Sequence, residues 1–283
     1  MAAVSLVTPA TADEAIAELR STGPGEAVVL AGGTDLLFDL EEGRATPRRL
    51  VSLRRLPWRA LDWNGASLTI GSTLPLRALE RDPEVRRRIP GLYAAVRAVG
   101  SVALRHQATL GGNLGRSAPA SDLIPVLLVL DAEVDLVGPS GDRQLSVDRF
   151  VLGSRRTALA PGELIRSVRI PEARPSAYLW QRVRPFHDIS HMAVAVAFSR
   201  SLARWRVAVS GFPPRPRLVS EAEEALGHGP DPAPTDVARA ADALAAHAPI
   251  VADKRASEAY RRQLVPPLLE RAVRSAQSEA RRP

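Results

Sequence analysis

The chain has 283 residues, 45% hydrophobic and 24% charged, the balance of an ordinary water-soluble protein with more than one core. It contains no cysteine, which excludes disulfides, thiolate zinc sites, cysteine-held iron–sulfur clusters and a cysteine nucleophile within these residues. The formal charge of +7 comes from arginines scattered among acids, which argues against nucleic-acid binding, and with no membrane-length apolar run or secretory pattern a cytoplasmic protein is expected.

Residues 4–7 read as a short strand. Thr11 and Glu14 form a T-x-x-E capping box, so a helix starts there and runs to about Gly23. Residues 27–31 are a compact apolar strand entering Gly32-Gly33-Thr34-Asp35. A helical stretch over 36–42 and a strand over 49–53 follow, and this order suggests a small parallel unit. The pattern then changes. Asn64-Gly65, between 60–63 and 67–71, signals a hairpin whose two central residues take positive φ. Helical stretches are expected over 76–88 and 92–99, and a helical or tightly buried segment over 121–130. A hairpin over 132–137 and 143–147 and a strand over 163–170 complete this half. Beyond a linker at 171–176, strands are expected over 178–183, 191–198 and 205–210, then helices over 221–226, 237–247 and 257–275.

Two glycine-rich turns stand out, Gly32-Gly33-Thr34 and Gly111-Gly112-Asn113. Each has a hydroxyl beside it, Thr34 or Thr109, and each joins an apolar segment to a helical one. Consecutive glycines let the backbone approach a bulky anion, and their N–H groups can converge on phosphate oxygens. Neither turn is a Walker loop, and the second lacks the strand–helix unit and downstream acid of a Rossmann fingerprint. Singly each is ordinary turn punctuation; together they raise a dinucleotide reading. Other constellations are weaker. His187 and His191 flank Asp188 with no third ligand in view, so no metal is expected and the histidines read as structural or surface residues. Glu41-Glu42 and Glu223-Glu224 read as solvated helix faces. Asp122, after Pro119-Ala120-Ser121, can cap a helix.

AGGTDLL (31–37), LRHQATLGGNLGRSAPASDLIPVLLVLDAEVDL (104–136), GDRQLSVDRFVLG (141–153), PGELIRSVRIP (161–171) and DKRASEAYRRQL (253–264) follow one another along nearly the whole chain. This ordered string resembles the FAD-binding (medium) subunits of the xanthine dehydrogenase and carbon monoxide dehydrogenase molybdenum hydroxylases. The resemblance implies an α+β fold: a two-subdomain FAD-binding architecture of the vanillyl-alcohol-oxidase/PCMH type over 1–57 and 58–172, then a small antiparallel sheet with helices over 176–283. It implies FAD as the cofactor. Ala31, Gly32, Gly33, Thr34 and Asp35 would line a first phosphate loop, and Thr109, Gly111, Gly112 and Asn113 a second. Asp122 would bind cofactor hydroxyls, Val99 and Ile165 would pack on the rings, and Ile189 would lie over the isoalloxazine. There are departures. His106-Gln107-Ala108 stands where the family has N-x-G. Gln181, or Trp180 if the alignment slips by one, stands where a lysine is common near the flavin.

What the resemblance implies about function is a relay. Substrate is hydroxylated at a molybdenum cofactor on a large partner subunit. Electrons cross iron–sulfur clusters on a small partner subunit and reach FAD on this chain, then NAD or another acceptor. The flavin carries the chemistry, so no catalytic side chain of this chain is required. The lack of cysteine suits that division of labour. Two other readings stand beside it: a self-contained FAD oxidoreductase of the same architecture, and a non-catalytic nucleotide-binding module.

Overall fold

The computed structural model describes residues 4–23, 25–184 and 188–280. Its first unit is made of β1 (Ser5–Val7), α1 (Ala12–Arg20), β2 (Ala27–Leu30), α2 (Leu36–Glu41) and β3 (Arg49–Ser52). The three strands form a parallel sheet in the order β1-β3-β2. The Thr11 hydroxyl accepts from the Glu14 amide at 3.2 Å, and the Glu14 carboxylate reaches back to the Ala10 amide at 2.7 Å. The helix stops at Arg20, short of the expected Gly23. The Ser21-Thr22-Gly23-Pro24 run beyond it holds poor helix formers before a proline.

The second unit carries β4 (Leu61–Asn64), β5 (Ser67–Gly71), α3 (Leu76–Arg81), α4 (Pro83–Arg88), α5 (Pro90–Ala98), α6 (Val102–Arg105), α7 (Leu110–Arg116) and α8 (Leu123–Val129). It continues through β6 (Glu133–Gly138), β7 (Gly141–Ser146), α9 (Val147–Phe150), β8 (Val151–Gly153), β9 (Arg156–Thr157) and β10 (Leu164–Ile170). Five of its strands form an antiparallel sheet, β4-β5-β10-β6-β7. Three expectations change here. Asn64 pairs with Ser67, so the turn residues are Gly65 and Ala66, and among them only Gly65 takes positive φ (+58°). The stretch 76–88 is two helices, because Pro83 has no amide to continue the first and Asp82 caps the second through the Val85 amide at 2.8 Å. The second glycine cluster lies inside the helix α7, not in a turn.

The third unit is a sequential antiparallel sheet of β11 (Ser176–Gln181), β12 (Met192–Ser199), β13 (Arg204–Ser210) and β14 (Arg217–Leu218). It is followed by α10 (Ser220–Leu226), α11 (Pro234–His247) and α12 (Glu258–Ala280). β12 is buried along its whole length. Its alternation explains how one strand serves two cores: Ala193, Ala195 and Ala197 face the core of the second unit, and Met192, Val194, Val196 and Phe198 face the C-terminal helices. The alanines let α8, buried at every residue, lie close to the third sheet. No described helix is long and apolar enough to cross a membrane.

Candidate functional site

A cleft of about 750 Å³ opens at the C-terminal end of β2, where the loop 31–35 faces the start of α7. Its other walls come from the end of α5, the segment 118–122, β10 and the segment 188–190. Ala31, Gly32, Gly33, Thr34, Asp35, Val99, Thr109, Gly111, Gly112, Asn113, Asp122, Ile165 and Ile189 all line it. Gln181 does not. Its amide turns to the Arg182 carbonyl at 3.0 Å, and Arg182 takes the place in the cleft. The reason is strand parity. Tyr178, Trp180 and Arg182 share one side of the chain, with Tyr178 and Trp180 rings stacked 5.4 Å apart and the Arg182 guanidinium 5.4 Å from Trp180, so Gln181 falls on the other.

The glycines divide by what lies opposite them. A Cβ on Gly32 would stand 1.9 Å from the Gln107 carbonyl oxygen, so this glycine seats the first loop against the second unit. Gly33 takes φ +74°, a conformation that favours glycine. Among the described residues the N–H groups of residues 31–35 donate to no protein acceptor. The second cluster is the reverse. The Gly111 amide donates to the Ser72 carbonyl at 3.1 Å, Gly112 to the Thr109 hydroxyl at 3.0 Å, and Asn113 to the Thr109 carbonyl at 3.0 Å. The expectation that both glycine pairs offer amides to phosphate is therefore corrected: the Gly111 amide is taken by the Ser72 carbonyl and the Gly112 amide by the Thr109 cap. Gly111 is needed because a Cβ would lie 2.6 Å from that of Ser72. Gly115 leaves room in the cleft, since a Cβ there would meet only Ile165, at 3.9 Å, whereas a Cβ on Gly112 would crowd the Thr109 hydroxyl at 3.0 Å.

Asp122 stands at the start of α8 but does not cap it. Ser121 does, accepting from the Leu123 and Ile124 amides at 3.2 Å while donating to the Asn113 side chain at 2.6 Å. Asp122 is thus free to gather the third unit. Its Oδ1 accepts from the Tyr178 hydroxyl at 2.6 Å, Arg182 at 2.8 Å and Ser190 at 3.2 Å, and its Oδ2 from Arg182 at 2.9 Å. Burial pushes its pKa up, against the Arg182 charge and the three hydrogen-bond donors. Burial likewise lifts the Tyr178 phenol well above its usual range, with the Asp122 charge adding to it. A carboxylate has about four acceptor positions, so Oδ2 keeps room for one further hydroxyl. Arg182 is locked from both sides: it also donates to the Ala98 carbonyl at 2.9 Å and to the Ser190 hydroxyl at 3.2 Å.

Arg116 lines the far end of the cleft, paired with buried Asp39 of α2 and 3.7 Å from Asp35. That hydrogen bond, stronger than the opposing burial, holds the Asp39 carboxyl below the usual carboxylate range. Asp188 is structural. Its carboxylate accepts from the Val183, Arg184 and Ile189 amides at 2.8–3.0 Å, and those bonds depress its pKa, the Arg184 amide most. His187 lies outside the described residues, and His191 is buried edge-on to the Tyr260 ring. No cluster of three metal-ligating side chains exists among the described residues. Glu223 is not a solvated face either: it pairs with Arg206 at 2.8 Å and accepts the Val207 amide at 3.1 Å. Five unspent amides, an apolar wall of Val99, Leu104, Leu159 and Ile165, and a buried Ser72 hydroxyl without a partner suit a ligand with a phosphate end and a flat apolar end.

Comparison with known proteins decides the class of that ligand. The family model described as the FAD binding domain in molybdopterin dehydrogenase matches residues 2–173, and that of the CO dehydrogenase flavoprotein C-terminal domain matches residues 178–276. The chain belongs to this FAD-binding family of the molybdopterin dehydrogenases. It is 27% identical over 284 residues to the carbon monoxide dehydrogenase medium chain of Hydrogenophaga pseudoflava, covering 95% of each chain. It is 29% identical to the nicotine 6-hydroxylase medium subunit of Paenarthrobacter nicotinovorans, covering 96% of each. Among solved structures, a chain of reconstituted CO dehydrogenase from Oligotropha carboxidovorans superposes with a TM-score of 0.90 at 26% identity, over 98% of this chain and 99% of that one. As a member of the CO and xanthine dehydrogenase family of FAD-binding subunits, the chain is an oxidoreductase component. The residues lining the cleft between its first two units suit that cofactor.

Proposed function

We propose that the chain is the electron-transfer subunit of a molybdenum hydroxylase, taking electrons from a small iron–sulfur subunit beside a large molybdenum-cofactor subunit and delivering them to NAD. The observation that carries this reading is the row of five unspent N–H groups at residues 31–35, in a loop that lines the cleft together with the apolar wall of Val99, Leu104, Leu159 and Ile165. FAD, when bound, supplies the redox chemistry. The chain's own part is to hold and orient. The amides of Ala31 to Asp35, with the Thr34 hydroxyl, grip the pyrophosphate; Gly111, Gly112, Thr109 and Asn113 form the facing wall. Asp122 accepts a cofactor hydroxyl at Oδ2, and Val99 and Ile165 pack against the rings. In place of Gln181, Arg182 is the polar group at the ring end. The units supporting this are residues 1–57, 58–172 and 176–283.

Partners follow from the absence of any thiolate among these 283 residues and from the names of the relatives, which are medium chains or subunits of their enzymes. Ile189, 55% exposed where it lines the cleft, favours NAD as the acceptor. An aliphatic side chain there covers less of a ring face than an aromatic one and is displaced more easily by a nicotinamide, which needs close approach for hydride transfer. Stopped-flow reoxidation of the dithionite-reduced holoenzyme tests this. NAD should reoxidise it as fast as, or faster than, a soluble quinone. Reoxidation by quinone alone would overturn the choice of NAD.

A further inference from the structure

The segment 253–261 lies outside the cleft, yet it is tied to the cleft wall. Asp253 sits ahead of α12 and holds two arginines. It accepts from Arg255 at 2.6 and 3.1 Å through Oδ2, and from Arg261 at 2.7 Å through Oδ1. Arg261 is fully buried and also donates to the Val251 carbonyl. With its guanidinium oriented in this way, Arg255 spans two carbonyls of other segments: Ser190 at 3.3 Å and Gly211 at 2.8 Å.

Both residues pass the connection to the same stretch of the FAD-binding unit. The Ser190 hydroxyl bonds Asp122 and Arg182, and the Gly211 amide donates to the Pro119 carbonyl at 3.1 Å. Gly211 can sit there only as glycine, at φ +109° and with a would-be Cβ 2.8 Å from the His191 carbonyl. Residues 118 and 120–122 line the cleft on one side of this junction, and residues 188–190 on the other. We propose that Arg255, oriented by Asp253 and Arg261, is a positioning residue for the cofactor, fixing the wall made by 118–122 and 188–190 from outside the cleft. The proposal rests on the cleft being the FAD site. Two loops are held at one spacing by one planar, forked side chain, which a single-point cation cannot reproduce.

The test is titration of FAD into the FAD-free full-length chain, followed by flavin fluorescence and visible circular dichroism. Arg255→Gln should weaken FAD binding about tenfold, the loss expected from one charged hydrogen bond, and alter the dichroism of what binds. Arg274→Gln, on the exposed face of α12, should change neither. Arg255→Lys should recover only part of the affinity. In the double variant with Ser190→Ala the two fold-losses should not multiply, because both changes cut the same connection. A lower melting temperature for Arg255→Gln with unchanged affinity and dichroism would show Arg255 to be structural only, and multiplying losses would show that it does not act through Ser190. If Arg255→Gln fails to fold, Arg255→Lys and its cycle with Ser190→Ala are read by the same criteria. If the unmutated chain takes up no FAD, it is the FAD reading that falls.

Discussion

At the scale of single residues, glycine has two different jobs in this chain, and side-chain substitution separates them. Gly111 faces Ser72, so Gly111→Ala should destabilise the FAD-free chain by about 1–3 kcal/mol through overpacking, seen as a lower melting temperature. Gly115 faces the cleft from a helix. Gly115→Leu should leave the FAD-free chain as stable or about 0.5–1 kcal/mol more so, leucine being the better helix former, while weakening FAD binding at least roughly tenfold. Equal effects of the two changes on both readouts would contradict this division. The sequence singled out the glycine pairs but not the difference between them. Gly32-Gly33 and Gly111-Gly112 look alike as letters; what separates them is the Gln107 carbonyl beside one, the Ser72 backbone beside the other, and the use of one set of amides by the Thr109 cap. The first two are contacts between residues 75 and 39 apart in the chain, which no local pattern encodes; only the Thr109 cap is local.

At the scale of elements, ionic ties hold the units across the cleft. Arg182 supplies the positive charge that opposes the burial penalty on the Asp122 carboxylate, so Arg182→Met should cost about 3 kcal/mol at neutral pH. In that variant Asp122 titrates well above its unfolded value of about 3.9, so folding takes up a proton. The deficit should therefore be largest at neutral pH and shrink as pH falls through the raised pKa. A deficit independent of pH in denaturant melts would show that Asp122 is not the group left exposed to the loss. Asp39 has the opposite sign. Arg116 depresses its pKa, so its contribution is complete above the ordinary aspartate range and is lost as pH falls below it. Asp39→Asn should lack that part of the acid slope in melting temperature against pH. The elements themselves were largely legible: the capping box of α1, the parallel first unit and the two-sided apolar strand β12 announce themselves by spacing. The miss at Gln181 is one of register. Strand alternation alone groups Tyr178 with Trp180 and Arg182; nothing local told which of the two faces meets the cleft, and a one-residue shift in a strand reverses the side.

At the scale of the whole molecule, the three larger sheets and the buried α8 place a cleft where the first two units meet and let the third close one end of it. Family membership was visible in the order of the motifs. The lock that Asp122 makes with Tyr178, Arg182 and Ser190 was not, since its members lie 56 to 68 residues apart. If the chain serves as one subunit of a larger enzyme, co-expression with its small and large partners should yield a heterotrimer or its doubled form on size exclusion. The chain alone should hydroxylate no purine, aldehyde or carbon monoxide, and turnover without partners would contradict the relay. The most direct measurement is the FAD content of the purified chain, read by absorbance before and after acid precipitation and compared with Gly115→Leu. The account predicts one FAD per chain, released unmodified by acid, and a depleted site in the variant. A chain that binds no FAD, or a variant as fully loaded as its parent, would contradict it.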